Sequence, residues 1–339
     1  MKTLADKQLT IGVIGLGVGE QHARTYHRLP GCRLKWFFDL KPEKARQIRD
    51  DLGVGDVAED CDSLLRDPDV DIVSIASFDN YHFKEMKTAL DNGKNVFIEK
   101  PMCRTLDEAR ALKAAWKRAD RPVVDSNLVL RSAPVYRWLK ERVEAGDLGR
   151  IYSFDGDYLY GRMHKITEGW RKDVQDYSVM SGGGIHLIDL MVWLTGQKPF
   201  DVSSVGNNIC TRDTPFHHDD FMASTFRFES GLTGRITANF GCVHKHHHVV
   251  RVFGTEGTFI YDDQGPRLYK TRDPDERPQI INHATLPAGK GDLIPGFVDA
   301  VRGDTAACAS LQHNLDIVSI TAAANTALTE NQETRITYA

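Results

Sequence analysis

The sequence has few of the features that mark secreted, membrane or disulfide-linked proteins. It holds six cysteines in 339 residues and no C-x-x-C pair, the six being Cys32, Cys61, Cys103, Cys210, Cys242 and Cys308. Scattered thiols are typical of a reducing compartment and argue against a disulfide framework or a structural zinc site. The start of the chain has no apolar h-region, and no apolar run approaches the roughly 18 residues of a membrane span. We therefore expect a soluble, cytoplasmic protein without a signal peptide.

The chain also lacks an excess of charge of either sign. Its 43 Lys and Arg against 47 Asp and Glu give a formal net charge of -4, which does not favour nucleic acid as a partner. Hydrophobic residues at 41% and charged residues at 27% are an ordinary globular balance. At roughly 100–200 residues per domain, the length predicts two domains.

The first third of the chain alternates short β-branched segments with amphipathic ones. Strands are predicted at 9–15, 33–39, 71–77, 95–99 and 122–126, separated by helices at 20–29, 42–53, 81–93 and 105–119. Strands that alternate with helices of this length imply βαβ units and a parallel sheet. The pattern therefore predicts a doubly wound α/β domain of the Rossmann type over residues 1–125.

The pattern changes after about residue 127. A helix at about 132–145 is followed mainly by predicted strands, at 151–161, 202–209, 221–230, 232–241 and 248–263, with helices at 184–195, 293–302 and 311–330. Several strands alternate polar and apolar residues, as in an antiparallel sheet with one covered face. We predict an α+β domain over residues 126–339, with a large, mostly antiparallel sheet, for substrate binding and oligomerisation.

A homodimer or homotetramer is expected from this sheet. The apolar side chains on its outer face would need a cover, which a second copy of the sheet would supply. The residues expected on that face are Phe226, Phe228, Ile236 and Val250.

The first predicted strand runs into a glycine-rich loop and then a helix. Glycines at such a turn let the backbone approach a pyrophosphate at a helix N-terminus. The third glycine comes one residue earlier than in G-x-G-x-x-G, and Glu20 occupies its usual place. The loop predicts dinucleotide binding, with a plain strand-to-helix turn as the alternative, by Gly15, Gly17, Val18 and Gly19.

The second predicted strand ends in Asp39. An acidic residue about 20 positions after the glycine loop accepts hydrogen bonds from the adenosine ribose hydroxyls. Its charge would repel a 2′-phosphate, so NAD is favoured over NADP. The positive charge of the nearby Lys41 would weaken this preference. The alternative for Asp39 is a solvated strand end.

Longer motifs carry a family resemblance. Ser77-Phe78-Asp79-Asn80-Tyr81-His82 closes a predicted strand, and A-L-D-N-G-K-N-V then leads into Glu99-Lys100-Pro101. Later segments are G-D-L-G from Gly146, GGGIHLIDLMVWLTG from Gly182 and G-T-E-G from Gly254. On these residues nearly the whole chain resembles the glucose–fructose oxidoreductase/inositol dehydrogenase (Gfo/Idh/MocA) family. Two features depart from the family pattern: Phe78 replaces a loop proline, and the glycine loop is shortened.

The resemblance implies that Lys100 lies beside the nicotinamide, as the lysine of the family's E-K-P segment does. Desolvation near a cationic nicotinamide would lower the lysine pKa from about 10.4 toward a useful range. Lys100 is therefore the first catalytic candidate. Ser77, His82 and Glu99 are further candidates for cofactor binding, and Glu99 is either a partner of the lysine or a strand terminus.

The family's D-x-G-x-H-x-x-D pattern implies a second catalytic residue at His186. Histidine titrates where general acid–base catalysis works best. The leading aspartate of the pattern falls on Gly182, so one carboxylate is missing. The alternative for His186 is a core position, and Asp189 on the same helix face is expected to be structural.

Candidate substrate residues are suggested by position. Asn127 follows a predicted strand end and suits either a substrate contact or a turn. The resemblance places the others, Tyr160, Arg162, Trp170 and Arg171, in the segment that lines the substrate cleft. An arginine there would bind a carboxylate or phosphate or lie in solvent.

No metal site is expected. Strand alternation splits the histidines of the H-x-H-H-H run over two faces, and no cysteine or carboxylate completes a ligand set. The run consists of His244, His246, His247 and His248.

Together these features predict an NAD-dependent oxidoreductase that transfers hydride to or from a secondary hydroxyl. The substrate class implied by the resemblance is a sugar, cyclitol or sugar derivative. One alternative is an NAD-recycling glycosidase or epimerase-like enzyme. The other is a non-catalytic nucleotide sensor, which would need neither Lys100 nor His186.

Overall fold

The computed structural model describes residues 8–304 and 306–339, which form two compact units. The first unit contains the described part of Met1–Val129, together with Ala288–Val318 and Ala339, and the second contains Leu130–Pro287 and Ser319–Tyr338. The sequence pattern did not anticipate that residues 288–318 would join the first unit. The assignment of cofactor binding to residues 1–125 and substrate binding to residues 126–339 stays a prediction.

A six-stranded sheet forms the centre of the first unit, in the order β3-β2-β1-β4-β5-β6, and all its pairs are parallel. Its strands are β1 (Leu9–Ile14), β2 (Cys32–Phe38), β3 (Asp56–Val57), β4 (Ile72–Ile75), β5 (Asn95–Ile98) and β6 (Val124–Ser126). The strand order reverses between β1 and β4, where doubly wound sheets bind their ligands. The predicted Rossmann fold is confirmed.

Five helices alternate with these strands: α1 (Gly19–Arg28), α2 (Pro42–Leu52), α3 (Cys61–Arg66), α4 (Asp79–Asp91) and α5 (Leu106–Arg118). Local sequence signals fix several of their ends. Gly53 ends α2 in the left-handed conformation at φ 66°. Thr105 and Glu108 form a capping box at the start of α5. β3 and α3 were not predicted from the sequence, since they span only two and six residues.

Both faces of this sheet are covered, which is why every residue of β1 is buried. One buried cluster contains Ile14, Val73 and Ile75, and the other contains Ile11 and Val13. The mainly apolar character of β1 in the sequence follows from this double coverage.

A nine-stranded sheet forms the second unit, in the order β14-β13-β12-β11-β7-β10-β9-β8-β15. Its strands are β7 (Ile151–Leu159), β8 (Asp201–Asn207), β9 (Phe221–Arg227), β10 (Thr233–Asn239), β11 (His247–Gly254), β12 (Thr258–Asp262), β13 (Gly265–Tyr269), β14 (Gln279–Ile280) and β15 (Thr334–Arg335). The pair β7–β10 is parallel and the other pairs are antiparallel. The predicted large, mostly antiparallel sheet is confirmed.

The remaining helices are α6 (Pro134–Glu144), α7 (His164–Thr167), α8 (Ile185–Thr195), α9 (Ile294–Val301) and α10 (Leu311–Thr329). A π-helical turn at Met180–Gly184 runs directly into α8. Small residues let α8 lie close to the sheet, because a Cβ at Gly156 in β7 would be 3.1 Å from Leu187. No helix within residues 8–304 and 306–339 is long and apolar enough to cross a membrane.

The prediction that the outer face of this sheet leaves apolar side chains uncovered was wrong. All four residues expected there, at 0–4% exposure, are buried within the chain: Phe226, Phe228, Ile236 and Val250. In β10, Gly234 pairs with Phe226 and faces Met191 of α8, so α8 covers this part of the sheet. Charged residues that alternate with the buried ones form ion pairs, among them Asp157 with Arg235 and Arg251.

Candidate active site

The glycine loop between β1 and α1 has three glycines in three different environments. Gly15 has φ 77°, and a Cβ there would be 2.4 Å from the carbonyl oxygen of Ala76, so only glycine fits this turn. At Gly19 a Cβ would be 3.2 Å from Val13, which keeps α1 close to the sheet. At Gly17 no atom of the described residues beyond its two chain neighbours lies within 4 Å of the Cβ position. The shortened loop thus keeps a tight turn, an open backbone segment and close helix packing.

Helix α1 begins without a side-chain cap. Val18 is the N-cap residue, and its side chain makes no capping hydrogen bond. The first N–H groups of a helix lack intrahelical acceptors and favour an anion. With the open backbone at Gly17, this turn fits the pyrophosphate of a dinucleotide.

Asp39 supports the glycine loop directly. The backbone N–H of Leu16 donates to Asp39 Oδ2 at 2.7 Å, and that of Lys41 donates to Oδ1 at 2.9 Å. The carboxylate therefore holds the loop against the end of β2 and is not a merely solvated strand end. A carboxylate has about four acceptor sites, so these two bonds leave it able to accept from ribose hydroxyls.

His82 joins the loop after β4 to the turn after β5. Its ring is fully buried, with Nδ1 2.7 Å from Pro101 O and Nε2 3.1 Å from Ser77 O. The Ser77 hydroxyl donates to Glu85 Oε2 at 2.5 Å. Burial raises the pKa of Glu85, and the Ser77 hydrogen bond opposes this shift. Ser77 and His82 thus fix two neighbouring loops at the carboxyl edge of the sheet, and their contact with a cofactor stays a prediction.

Glu99, at the end of β5, is the centre of a buried polar network. Its Oε1 lies 3.4 Å from His22 Nε2 and accepts a hydrogen bond of 2.6 Å from Asn127 Nδ2. Asn127 Nδ2 also donates to Lys290 O at 2.7 Å. On its other side, His22 Nδ1 lies 3.1 Å from the Ser74 hydroxyl. Asn127 therefore orients Glu99, a role that its position after a strand did not reveal.

Glu99 is held in its ionised form. Burial of the carboxyl raises its pKa, but the His22 hydrogen bond and the charges of His22, Lys290 and Lys100 outweigh burial and lower the pKa to about 2. The residue is thus more than a strand terminus, because it is a fixed negative charge next to Lys100.

Lys100 lies between two residues that are both held in place. Glu99 is fixed by His22 and Asn127, and the carbonyl of Pro101 is fixed by His82. The Lys100–Pro101 peptide is cis, and Lys100 itself is half-buried. The backbone that carries the lysine is therefore anchored on both sides at the carboxyl end of β5.

In the second unit, His186 follows the π-helical turn and belongs to a group of stacked rings. Its ring lies 6.3 Å from that of Tyr158, and only 5% of the residue is exposed. We define the Tyr158 group by the rings in contact with Tyr158: Tyr160, His186, Phe240, His246 and His248. Since π-helical turns occur often at functional sites, the group is a candidate site in this unit.

Four members of this group were not predicted as site residues from the sequence: Tyr158, Phe240, His246 and His248. In the antiparallel pairing of β7 with β11, His248 lies opposite Tyr158. Alternation within each strand was visible in the sequence, but the register between the two strands was not.

The histidine run is split over two faces, as expected. His246 and His248 contact Tyr158, whereas His247 packs on Tyr261 with ring centroids 4.9 Å apart. Within the described residues, no group of three or more His, Cys, Asp or Glu side chains is arranged to hold a metal ion.

The remaining candidates lie in the same unit. Arg162 is exposed, with its Cζ 5.8 Å from the centroid of the buried Tyr160 ring. Arg171 stacks on Trp170 with Cζ 4.6 Å from the ring centroid, and its Nε donates to Tyr177 Oη at 3.1 Å. Tyr177 was not singled out in the sequence.

Asp189 forms a buried ion pair on α8. Both of its carboxylate oxygens accept hydrogen bonds from Arg131, one of them at 2.7 Å from Nε. A bidentate pair of this kind fixes the helix, in agreement with the expected structural role.

The two units match two models of the same family. Residues 9–125 match the model described as "Oxidoreductase family, NAD-binding Rossmann fold", and residues 136–260 match "GFO/IDH/MocA C-terminal domain". The chain belongs to the Gfo/Idh/MocA family. This family member is an NAD-dependent oxidoreductase, and its N-terminal unit is the family's nucleotide-binding fold.

The relatives of this Gfo/Idh/MocA protein include several dehydrogenases. The chain is 28% identical over 324 residues to scyllo-inositol 2-dehydrogenase (NAD(+)) of Bacillus subtilis (strain 168), covering 92% of this chain and 87% of the relative. It is 25% identical over 295 residues to levoglucosan dehydrogenase of Pseudarthrobacter phenanthrenivorans, covering 76% and 74%. The structure of a levoglucosan dehydrogenase in complex with NADH is similar in fold, with a TM-score of 0.83 and 22% identity over 98% of this chain and 100% of that chain.

Proposed function

We propose that this protein transfers hydride between NAD and a secondary hydroxyl of a sugar, a cyclitol or a sugar derivative. The observation that carries the proposal is the anchored Lys100, placed at the carboxyl end of β5 beside the ionised Glu99. Relatives named as inositol and levoglucosan dehydrogenases support the substrate class.

The glycine loop and Asp39 hold the cofactor in this proposal. Gly15, Gly17, Val18 and Gly19 cradle the pyrophosphate, and Asp39 accepts hydrogen bonds from the adenosine ribose. A 2′-phosphate on that ribose would meet the Asp39 charge, so NAD is preferred over NADP. NAD⁺, when bound, supplies the acceptor for hydride.

Lys100 and His186 are the proposed proton-transfer residues. A neutral lysine amine accepts the proton of the substrate hydroxyl, and its charge then stabilises the developing alkoxide. The negative charge of Glu99 stabilises the protonated form of Lys100. His186 is the second acid–base group, and Asn127, Tyr160, Arg162, Trp170 and Arg171 are proposed to contact the substrate or the groups that bind it.

The test is NADH formation, measured by absorbance, with a panel of inositols and sugars. We expect Lys100→Ala to lower kcat far more than it weakens NAD binding, because its contact matters most in the transition state. His186→Ala should lose roughly 10²–10⁴ in rate. Exposed residues of the same types provide controls, Lys117→Ala and His27→Ala. Normal rates in both active-site variants would contradict the assignment.

The same assay separates the alternatives. A dehydrogenase accumulates NADH, whereas a glycosidase or epimerase-like enzyme that recycles its cofactor converts substrate with flat absorbance. A non-catalytic sensor would bind NAD and convert none of the panel.

A cytoplasmic location and a homodimer or homotetramer remain predictions. The apolar sheet face expected to support oligomerisation is buried within the chain. Light scattering at micromolar concentration tests assembly, and a monomeric mass would refute it.

A further inference from the structure

Two arginines lie beside the ring stack that contains His186. We propose that they bind an acidic substituent, a carboxylate or a phosphate, on the substrate of this enzyme. The two arginines are Arg162 and Arg171, and the side chains around them are Trp170, Tyr177, Tyr158 and Tyr160. The inference rests on the proposed function for the reaction, but the binding of an acidic group can be measured independently of turnover.

Arg171 is held in a defined orientation. Its guanidinium stacks on Trp170, and its Nε donates to the hydroxyl of Tyr177, which is 7% exposed. The Trp170 and Tyr177 rings are nearly perpendicular, at 87°. A planar guanidinium fixed in this way loses little entropy when it binds a carboxylate or a phosphate.

The Tyr177 hydroxyl lies against the turn that leads to His186. A Cβ at Gly182 would be 2.0 Å from Tyr177 Oη, so the phenol occupies the space that any side chain at position 182 would enter. An acidic side chain there would collide with the phenol and would oppose an anionic ligand. Because residue 182 is glycine, the neutral hydroxyl of Tyr177 lies against this turn, and that hydroxyl accepts a hydrogen bond from the cationic Arg171.

Arg162 contacts the same stack at Tyr160. It lies over Tyr160, Tyr160 stacks on Tyr158 at 6.1 Å, and Tyr158 contacts His186. No carboxylate within residues 8–304 and 306–339 pairs with Arg162. Its charge is therefore not neutralised by an acidic side chain of the described chain.

Both cations act on the ring next to His186. Burial raises the pKa of Tyr158, the neighbouring phenols of Tyr160 and Tyr177 add to this, and the charges of Arg171 and Arg162 oppose it. Two guanidinium groups within electrostatic range of one buried hydroxyl suit a ligand that brings a negative charge. Carboxylates and phosphates match the fork of N–H donors that arginine presents.

The test is calorimetric titration of the NADH-loaded protein with three probes: myo-inositol, glucuronate and glucose 6-phosphate. We expect one acidic probe to bind at least about tenfold tighter than myo-inositol. Comparison of glucuronate with glucose 6-phosphate tells a carboxylate site from a phosphate site. Arg162→Gln should reduce the preference to within about threefold, and since Arg162 is exposed this change leaves folding intact. The control is Arg277→Gln, an exposed arginine of the same unit.

Equal binding of acidic and neutral probes would overturn the inference, as would a preference that survives both Arg162→Gln and Arg171→Lys. The absorbance assay with NAD⁺ tests the reaction separately. Tight binding of an acidic probe without NADH formation from any compound would refute the proposed function and uphold the anion site. Oxidation of neutral polyols without binding of acidic probes would uphold the proposed function and refute the anion site.

Discussion

Replacing Glu99 with glutamine removes one buried charge and nearly preserves the shape of the side chain. The pKa of Glu99 falls from 4.5 to about 2 in the folded chain, a shift of about 2.5 units. At 1.36 kcal/mol per unit, the ionised form contributes about 3 kcal/mol to stability at pH 7. We expect Glu99→Gln to lose stability of this order, because His22 and Asn127 then face a neutral amide.

The effect should depend on pH with a definite sign. Because the pKa of Glu99 is lower in the folded state, its contribution is present above pH 4.5 and is lost as the pH falls toward 2. At pH 3.5 the remaining contribution is about 2 kcal/mol. The wild-type protein and the variant should therefore converge in stability as the solution becomes more acidic.

Urea unfolding followed by tryptophan fluorescence at pH 7, 5 and 3.5 measures this difference. Glu141→Gln, at an exposed position on α6, is the matched control and should leave the midpoint unchanged. Equal midpoints for Glu99→Gln and wild type at pH 7, or a gap that does not narrow with acid, would refute the reasoning.

Five further substitutions test the nucleotide-binding loops and the π-helical turn. Asp39→Ala should narrow the preference for NAD over NADP in isothermal titration, and tighter NADP binding by the unaltered protein would contradict the cofactor assignment. Gly15→Ala should lower stability by at least roughly 1–2 kcal/mol, because φ is 77° there, whereas Gly17→Ala, in open space, should retain stability and weaken NAD binding. Gly182→Ala should cost about 1–3 kcal/mol by displacing Tyr177. Tyr177→Phe should relieve part of this cost in the double variant, because the contact with Oη is removed while ring Cζ still lies 2.8 Å from the Cβ position. Additive effects would show that the two residues are not coupled.

Local signals identified the elements of the first unit because each depends on neighbouring residues. The mainly apolar run of β1 and the glycine after α2 each act within a few positions. The short β3 and α3 carry too few residues for a periodic pattern, and they were missed. Asp39 was found from its spacing after the glycine loop, and Lys100 from the resemblance of its E-K-P segment to the Gfo/Idh/MocA family.

Contacts between distant residues were not visible in this way. Glu99 meets His22 and Asn127, which lie 77 and 28 positions away along the chain. The missing acidic residue at 182 was evident in the sequence, but the phenol of Tyr177 in its place was not. The burial of Phe226 under α8 likewise reversed an expectation drawn from strand alternation.

The sequence by itself therefore determined the alternation of the longer strands and helices and the glycine loop, since these follow from periodicity and spacing along one chain. The family resemblance of the E-K-P segment indicated the lysine. Only the tertiary structure decided which side chains hold Glu99 ionised, which face of the large sheet is covered and which rings surround His186. The physical reason is that burial, charge and strand register depend on the side chains that folding brings together. The pairing of β7 with β11, which sets His248 opposite Tyr158, has no signal within either strand alone.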